Sequence, residues 1–130
     1  MDLYREEILD HYKHPRNFGH LQAPTITDTS DNVSCGDTIS IEILLTGTGD
    51  ARVISDIRFS GVGCAISQAS ASLLTEHVKG KLVQDMKLLT PDDIYKILGV
   101  TLTPSRVKCA LLGYEAFMKT IVNMGKVYYK

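Results

Sequence analysis

Residues 39 to 45 alternate: Ile39, Ile41, Ile43 and Leu45 share one side, and Ser40 and Glu42 are among the residues on the other. Side chains in a strand point to opposite faces with a period of two, so this run fits a strand with one face in a core and one near water. Thr46-Gly47-Thr48-Gly49-Asp50 supplies turn residues. Val53, Ile57 and Phe59 then fit the inward face of a second strand, and the pair reads as a β-hairpin. A half-apolar hairpin must be covered, and the rest of the chain supplies the helices to cover it.

Residues 2 to 14 carry Leu3, Tyr4, Ile8, Leu9 and Tyr12 near helical spacing, with Asp2 as N-cap and Pro15 as stop. Ala65 to Val78 places Ile66, Ala69, Leu73, Leu74 and Val78 on one stripe before Gly80. A helical turn is expected over Leu82 to Met86, and a short helix from Pro91 to the residue before Gly99. Thr103-Pro104 opens the last helix, whose stripe is Val107, Ala110, Tyr114, Phe117, Met118 and Ile121. Arg16 to Ser34 is rich in Pro, Gly, Asn, Asp and Ser and reads as a mobile, looping stretch, with a short third strand near Thr25. The expected fold is a single small α+β domain over residues 1–130, an antiparallel three-stranded sheet with helices packed mainly on one face.

At 130 residues one core suffices, and 44% hydrophobic with 22% charged residues excludes disorder as the default. A formal charge of −1 without a basic block argues against a nucleic-acid partner. No apolar run approaches the ~20 residues that span a bilayer, and the acidic N-terminus is unlike a secretory or transit signal, so a cytoplasmic protein off the membrane is expected. Three cysteines, 29 residues apart (64 minus 35) and 45 apart (109 minus 64), do not resemble a disulfide framework.

Their settings suggest a site. At about 100° per residue, Cys64 lies roughly 160° and Cys109 roughly 120° from the centres of their helices' apolar stripes, so both thiols are expected away from the core. Cys64 also falls at the start of its helix, where free N–H groups favour a thiolate. Cys35 precedes Gly36, and Asp37 faces the same side as Cys35 if the segment is extended. A carboxylate among thiolates is a weaker, more exchangeable iron ligand than a fourth cysteine. Arg106 and Lys108 stand close enough in sequence to favour a Cys109 thiolate. His11, His14, His20 and His77 read as hydrogen-bonded surface groups, and Gly61-Val62-Gly63 lacks the rest of a phosphate loop. The competing reading of each cysteine alone is a small buried hydrophobe.

Together these landmarks resemble the iron-sulfur cluster scaffold family of IscU, SufU and the N-terminal domain of NifU. The resemblance rests on Asp10-His11-Tyr12 with Pro15-Arg16-Asn17, Cys35-Gly36-Asp37, the run from Gly61 through Cys64 to Ser67, Val78-Lys79-Gly80-Lys81, and Val107-Lys108-Cys109. It implies a platform on which a cysteine desulfurase of IscS or SufS type delivers persulfide sulfur, iron is bound, and a transient [2Fe-2S] cluster forms for recipient apo-proteins. Cys35, Cys64 and Cys109 would hold the cluster with Asp37 nearby, and Zn2+ would take the same position in the isolated or apo form. Cys109 would accept persulfide in an IscU-like route and Cys35 in a SufU-like one. IscU proteins have a histidine before the third cysteine and a chaperone-recognised Leu-Pro-Pro-Val-Lys segment; here Lys108 and Leu102-Thr103-Pro104-Ser105-Arg106 stand instead, which makes a dedicated chaperone doubtful. Arg106-Val107-Lys108-Cys109 looks like SufU, yet the SufU insertion between the second and third cysteines is absent. A zinc-dependent sulfurtransferase and a structural zinc module are therefore the alternatives to the scaffold, with a monomer or weak dimer expected.

Overall fold

A computed structural model describes residues 3–33 and 36–127 of the chain, with side chains over 5–33 and 36–123. The predicted N-cap Asp2 lies outside the described residues. The order is α1 (Leu3–Lys13), β1 (Ile26–Asn32), β2 (Asp37–Thr46), β3 (Val53–Val62), α2 (Ala65–Val78), α3 (Val83–Met86), α4 (Pro91–Leu98) and α5 (Pro104–Val127), with one 3-10 turn at Gly49–Ala51. The strands form an antiparallel sheet in the order β1-β2-β3.

Local chemistry sets the ends. Thr90 and Asp93 form a reciprocal capping box ahead of Pro91, and Gly99 closes α4 in a left-handed conformation at φ 71°. The inward residues of the sheet, Ile39, Ile41, Ile43, Ile54, Ile57 and Phe59, are fully or almost fully buried, and α5 packs over β1 and β2 while α2 packs against β3 and α5. Helices α1 and α4 pack on α2. The layers thus have one core, on one face of the sheet.

Three expectations need correction. Val53 does not share the buried face with Ile57 and Phe59: Ile54 is the buried residue, and Val53 is half-buried. Leu44 pairs with Asp56 and Leu45 with Ile54, so Ser55 is an extra residue in β3, and its hydroxyl donates to the Leu44 carbonyl at 3.0 Å. One inserted residue reverses the faces of a strand on either side of it.

The stretch from Arg16 is not a mobile loop over its described part. Seven of its residues form β1, and Thr25 N–H donates to the Ile43 carbonyl at 2.8 Å. Asn17 and Gly19 run beside β3, with Phe59 N–H donating to Asn17 O and Gly19 N–H to Phe59 O, both at 2.9 Å. β1 can be polar because α5 meets it with polar groups: Lys119 Nζ donates to Thr29 O at 2.9 Å, and the Asn123 amide donates to Asp28. Composition alone gives no sign of that match.

His11 is also buried, at 3% exposure, rather than a surface group. Ser72 Oγ accepts from Arg16 N–H at 2.8 Å, which leaves its own proton for His11 Nδ1 at 2.7 Å, and His11 Nε2 faces Glu76 at 3.4 Å. Burial, then the Arg16 charge, lowers the imidazole below its usual value against the opposing pull of Glu76, Glu7 and Asp10. A lowered histidine favours the fold fully above the unfolded value of about 6.5, and this contribution is lost as pH falls through that value toward the folded one. Urea unfolding at pH 7.5 and 5.5 should show a loss of stability on acidification, smaller in His11→Gln.

Candidate metal centre

Three elements deliver the site. Asp37 is the first residue of β2 and points to the core side, because it shares the period of Ile39 and Ile41; it is 6% exposed. Cys64 is the N-cap of α2, with extended backbone at φ −72°, as its position at the helix start implied. Cys109 lies in the second turn of α5. The ligand atoms of Asp37, Cys64 and Cys109 all lie within 4.8 Å of one another. Cys35 belongs to the connection between β1 and β2 and lies outside the described residues.

Cys109 is not off the core: it is 5% exposed, while Cys64 is half-buried. The stripe predicted for α5 was too narrow. This helix is wedged between the sheet and α2, so it buries Ala116 and Thr120 beside Cys109 as well as Ala110, Phe117 and Ile121. Arg106 and Lys108 are exposed on the first turns of the same helix.

Gly63 allows the close approach. A Cβ there would stand 2.2 Å from Ser67 Oγ and 3.3 Å from the Asp37 carboxylate. The space is filled instead by a small network: Ser67 Oγ donates to Asp37 Oδ2 at 3.0 Å, and the Cys64 N–H points at the same oxygen at 3.3 Å. Ser67 Oγ also lies 3.1 Å from Cys64 O and 3.6 Å from Cys64 Sγ. Sequence reading missed this residue's role. The available signal was its place three residues after the N-cap, where a side chain returns to the cap.

Burial pushes the Cys64 thiol up, but the Ser67 N–H and hydroxyl, the Cys109 thiol and the Ile66 N–H together bring it below its usual value. A helix-start thiol held this way is more often a thiolate, the form that binds metal and attacks sulfur. The donor set suits a thiophilic ion: tetrahedral zinc with Zn–S near 2.3 Å separates its ligands by about 3.8 Å, and side-chain rotation can close a 4.8 Å cluster to that size. The histidines are elsewhere: His11 bonds Ser72, His20 Nδ1 meets Glu42 Oε2 at 2.5 Å, and His14 and His77 are exposed. Val62, two residues before Cys64 in the chain, is 67% exposed.

A family model described as the NifU-like N-terminal domain matches residues 3–128. The zinc-dependent sulfurtransferase SufU of Bacillus subtilis is 37% identical over 138 aligned residues, covering 93% of this chain and 90% of that protein. The iron-sulfur cluster assembly scaffold protein IscU of Aquifex aeolicus is 40% identical over 128, covering 95% and 80%. A crystal structure of a protein assigned to iron-sulfur cluster assembly in the SUF system of Fervidobacterium islandicum superposes with a TM-score of 0.71 at 30% identity, covering 89% of this chain and 94% of that one. With a shared fold and a family match along almost its whole length, the chain belongs to the NifU-like N-terminal domain family.

Proposed function

We propose that this chain is an iron-sulfur cluster assembly scaffold, working as one domain over residues 1–130, that receives sulfur from a cysteine desulfurase and iron, assembles a transient [2Fe-2S] cluster and passes it to apo-proteins in the cytoplasm. The observation that carries this reading is the convergence of two thiols and one carboxylate from three different elements. Cys35 would supply the third thiol. No helix among the described residues is long and apolar enough to cross a membrane.

The chemistry divides among the residues. Cys64, favoured as thiolate at the start of α2, is the ready ligand. Sulfur arrives by exchange: a thiolate of this chain, Cys109 or Cys35, attacks the terminal sulfur of the desulfurase persulfide, the new S–S bond forms, and the electron pair of the broken bond leaves with the desulfurase thiolate. Asp37 contributes a hard oxygen among soft sulfurs, which favours release over retention. Iron and the cluster are the cargo here, and Zn2+ takes the same ligands in the isolated protein.

Anaerobic reconstitution with iron and sulfide should produce sulfur-to-iron charge-transfer absorption, and Cys64→Ser or Cys109→Ser should reduce the yield at least tenfold, since each removes a thiolate ligand. Unchanged absorption in both variants would refute the reading.

A zinc-dependent sulfurtransferase is the second reading, favoured by the similarity to the Bacillus subtilis SufU. Here zinc would organise the thiols, and the zinc-loaded protein alone would accelerate a SufS-type desulfurase. Turnover measured with zinc-loaded and metal-free protein separates the two: equal rates exclude it.

A further inference from the structure

Ser67 stands out among the groups that the assembly reading does not use. It is fully buried at 0% exposure, three residues beyond Cys64 on the first turn of α2. Its one hydroxyl proton has three acceptors in range: Asp37 Oδ2 at 3.0 Å, Cys64 O at 3.1 Å and Cys64 Sγ at 3.6 Å. A carboxylate is the strongest acceptor of the three, so Asp37 takes the main share of this hydrogen bond and Cys64 Sγ the smaller one. The Cys64 N–H, at 3.3 Å, reaches the same Oδ2 from the other side. Gly63 leaves the room for this arrangement, because any Cβ there would overlap Ser67 Oγ at 2.2 Å.

The geometric consequence follows from the two donors. An oxygen that accepts two hydrogen bonds has both lone pairs engaged, so Oδ2 anchors the carboxylate. Asp37 sits at the first position of β2, where backbone pairing to Asn32 fixes its Cα. Backbone and anchor together leave the carboxylate one orientation relative to Cys64 and Cys109.

We propose that Ser67 is the positioning residue of this site, holding the Asp37 carboxylate by Oδ2 in a fixed place beside the two thiolates. The inference rests on the assembly reading only in taking Asp37 and the two thiols as ligands. It assigns to Ser67 an effect on metal binding that acts chiefly through Asp37, beside the weaker contact of its hydroxyl with Cys64 Sγ at 3.6 Å.

The test uses Co2+ as probe, titrated into the full chain and followed by its visible d–d bands and by thiolate-to-cobalt charge transfer. Ser67→Ala should weaken Co2+ binding roughly 10- to 100-fold, the usual cost of losing a partner that orients a ligand. Its d–d bands should shift while charge transfer persists, because both thiols remain. In an Asp37→Ala background the same change should alter affinity by less than about two-fold, since the coupled partner is already gone. Ser67→Thr keeps the hydroxyl and should stay within about three-fold of the native affinity. A Ser67→Ala protein that binds like the native one, an equal further loss in the Asp37→Ala background, or a tenfold loss in Ser67→Thr overturns the proposal. Failure of the assembly reading has a different signature: Cys64→Ser and Cys109→Ser would then bind Co2+ with unchanged charge transfer.

Discussion

Gly61→Ala should lower stability by about 3 kcal/mol or more, and the melting temperature by about 10 °C for a domain of this size. Gly61 lies in β3 at φ 127°, a conformation that L side chains rarely adopt. A Cβ on it would fall 2.0 Å from the Thr38 carbonyl oxygen and 3.2 Å from Ile39 Cα. Those atoms belong to the backbone of the central strand, so no rotamer change relieves the overlap. The β2–β3 ladder must part where Ile39 pairs with Gly61 and Thr38 with Val62. Asp37 is the next residue along one strand, and Gly63-Cys64 follows the other, so the damage reaches the metal centre as well. Thermal unfolding should show the loss of stability, and Co2+ titration of the folded fraction should show weaker binding. Unaltered melting would mean that β3 leaves its present register at no cost.

Phe59→Ala is expected to cost about 3–5 kcal/mol, the range for deleting a fully buried aromatic side chain. Phe59 is 0% exposed, at the centre of β3, and the Phe18 ring meets it edge-on with centroids 5.2 Å apart. Its backbone also holds the Asn17–Gly19 segment through both the N–H and the carbonyl. The loss would take a large share of the ~5–15 kcal/mol that holds a typical domain together. Phe18→Ala is the control: Phe18 is 49% exposed and should cost only about 1 kcal/mol. Urea denaturation of the two variants checks the contrast, and comparable losses would contradict the account of Phe59 as the core side of that pair.

The helices were legible because their signals are local. Pro91, Thr90 and Asp93 start α4, Gly99 ends it, and none of these needs a distant partner to act. The position of Cys64 at a helix start was legible for the same reason. β1 was hard to read because its polar inward residues look like loop until Lys119 and Asn123 of α5 are known to face it. The bulge at Ser55 was hidden because the apolar residues around it fit either of two registers, and pairing with β2 chooses between them. His11 was misplaced because a histidine is buried only where partners such as Ser72, 61 residues away, receive it.

By itself the sequence determined the period-two strand, the helix boundaries, the cysteine spacing and the kinship those motifs imply, all of which depend on neighbours within a few residues. The tertiary structure alone decided that Cys109 is buried, that it meets Asp37 and Cys64 within 4.8 Å, and that Ser67 holds the carboxylate between them. The reason is physical. Periodicity tells which side of one helix is apolar, but how many sides are covered depends on what packs around it, and α5 lies between a sheet and another helix. A ligand set drawn from three elements exists only once those elements have docked.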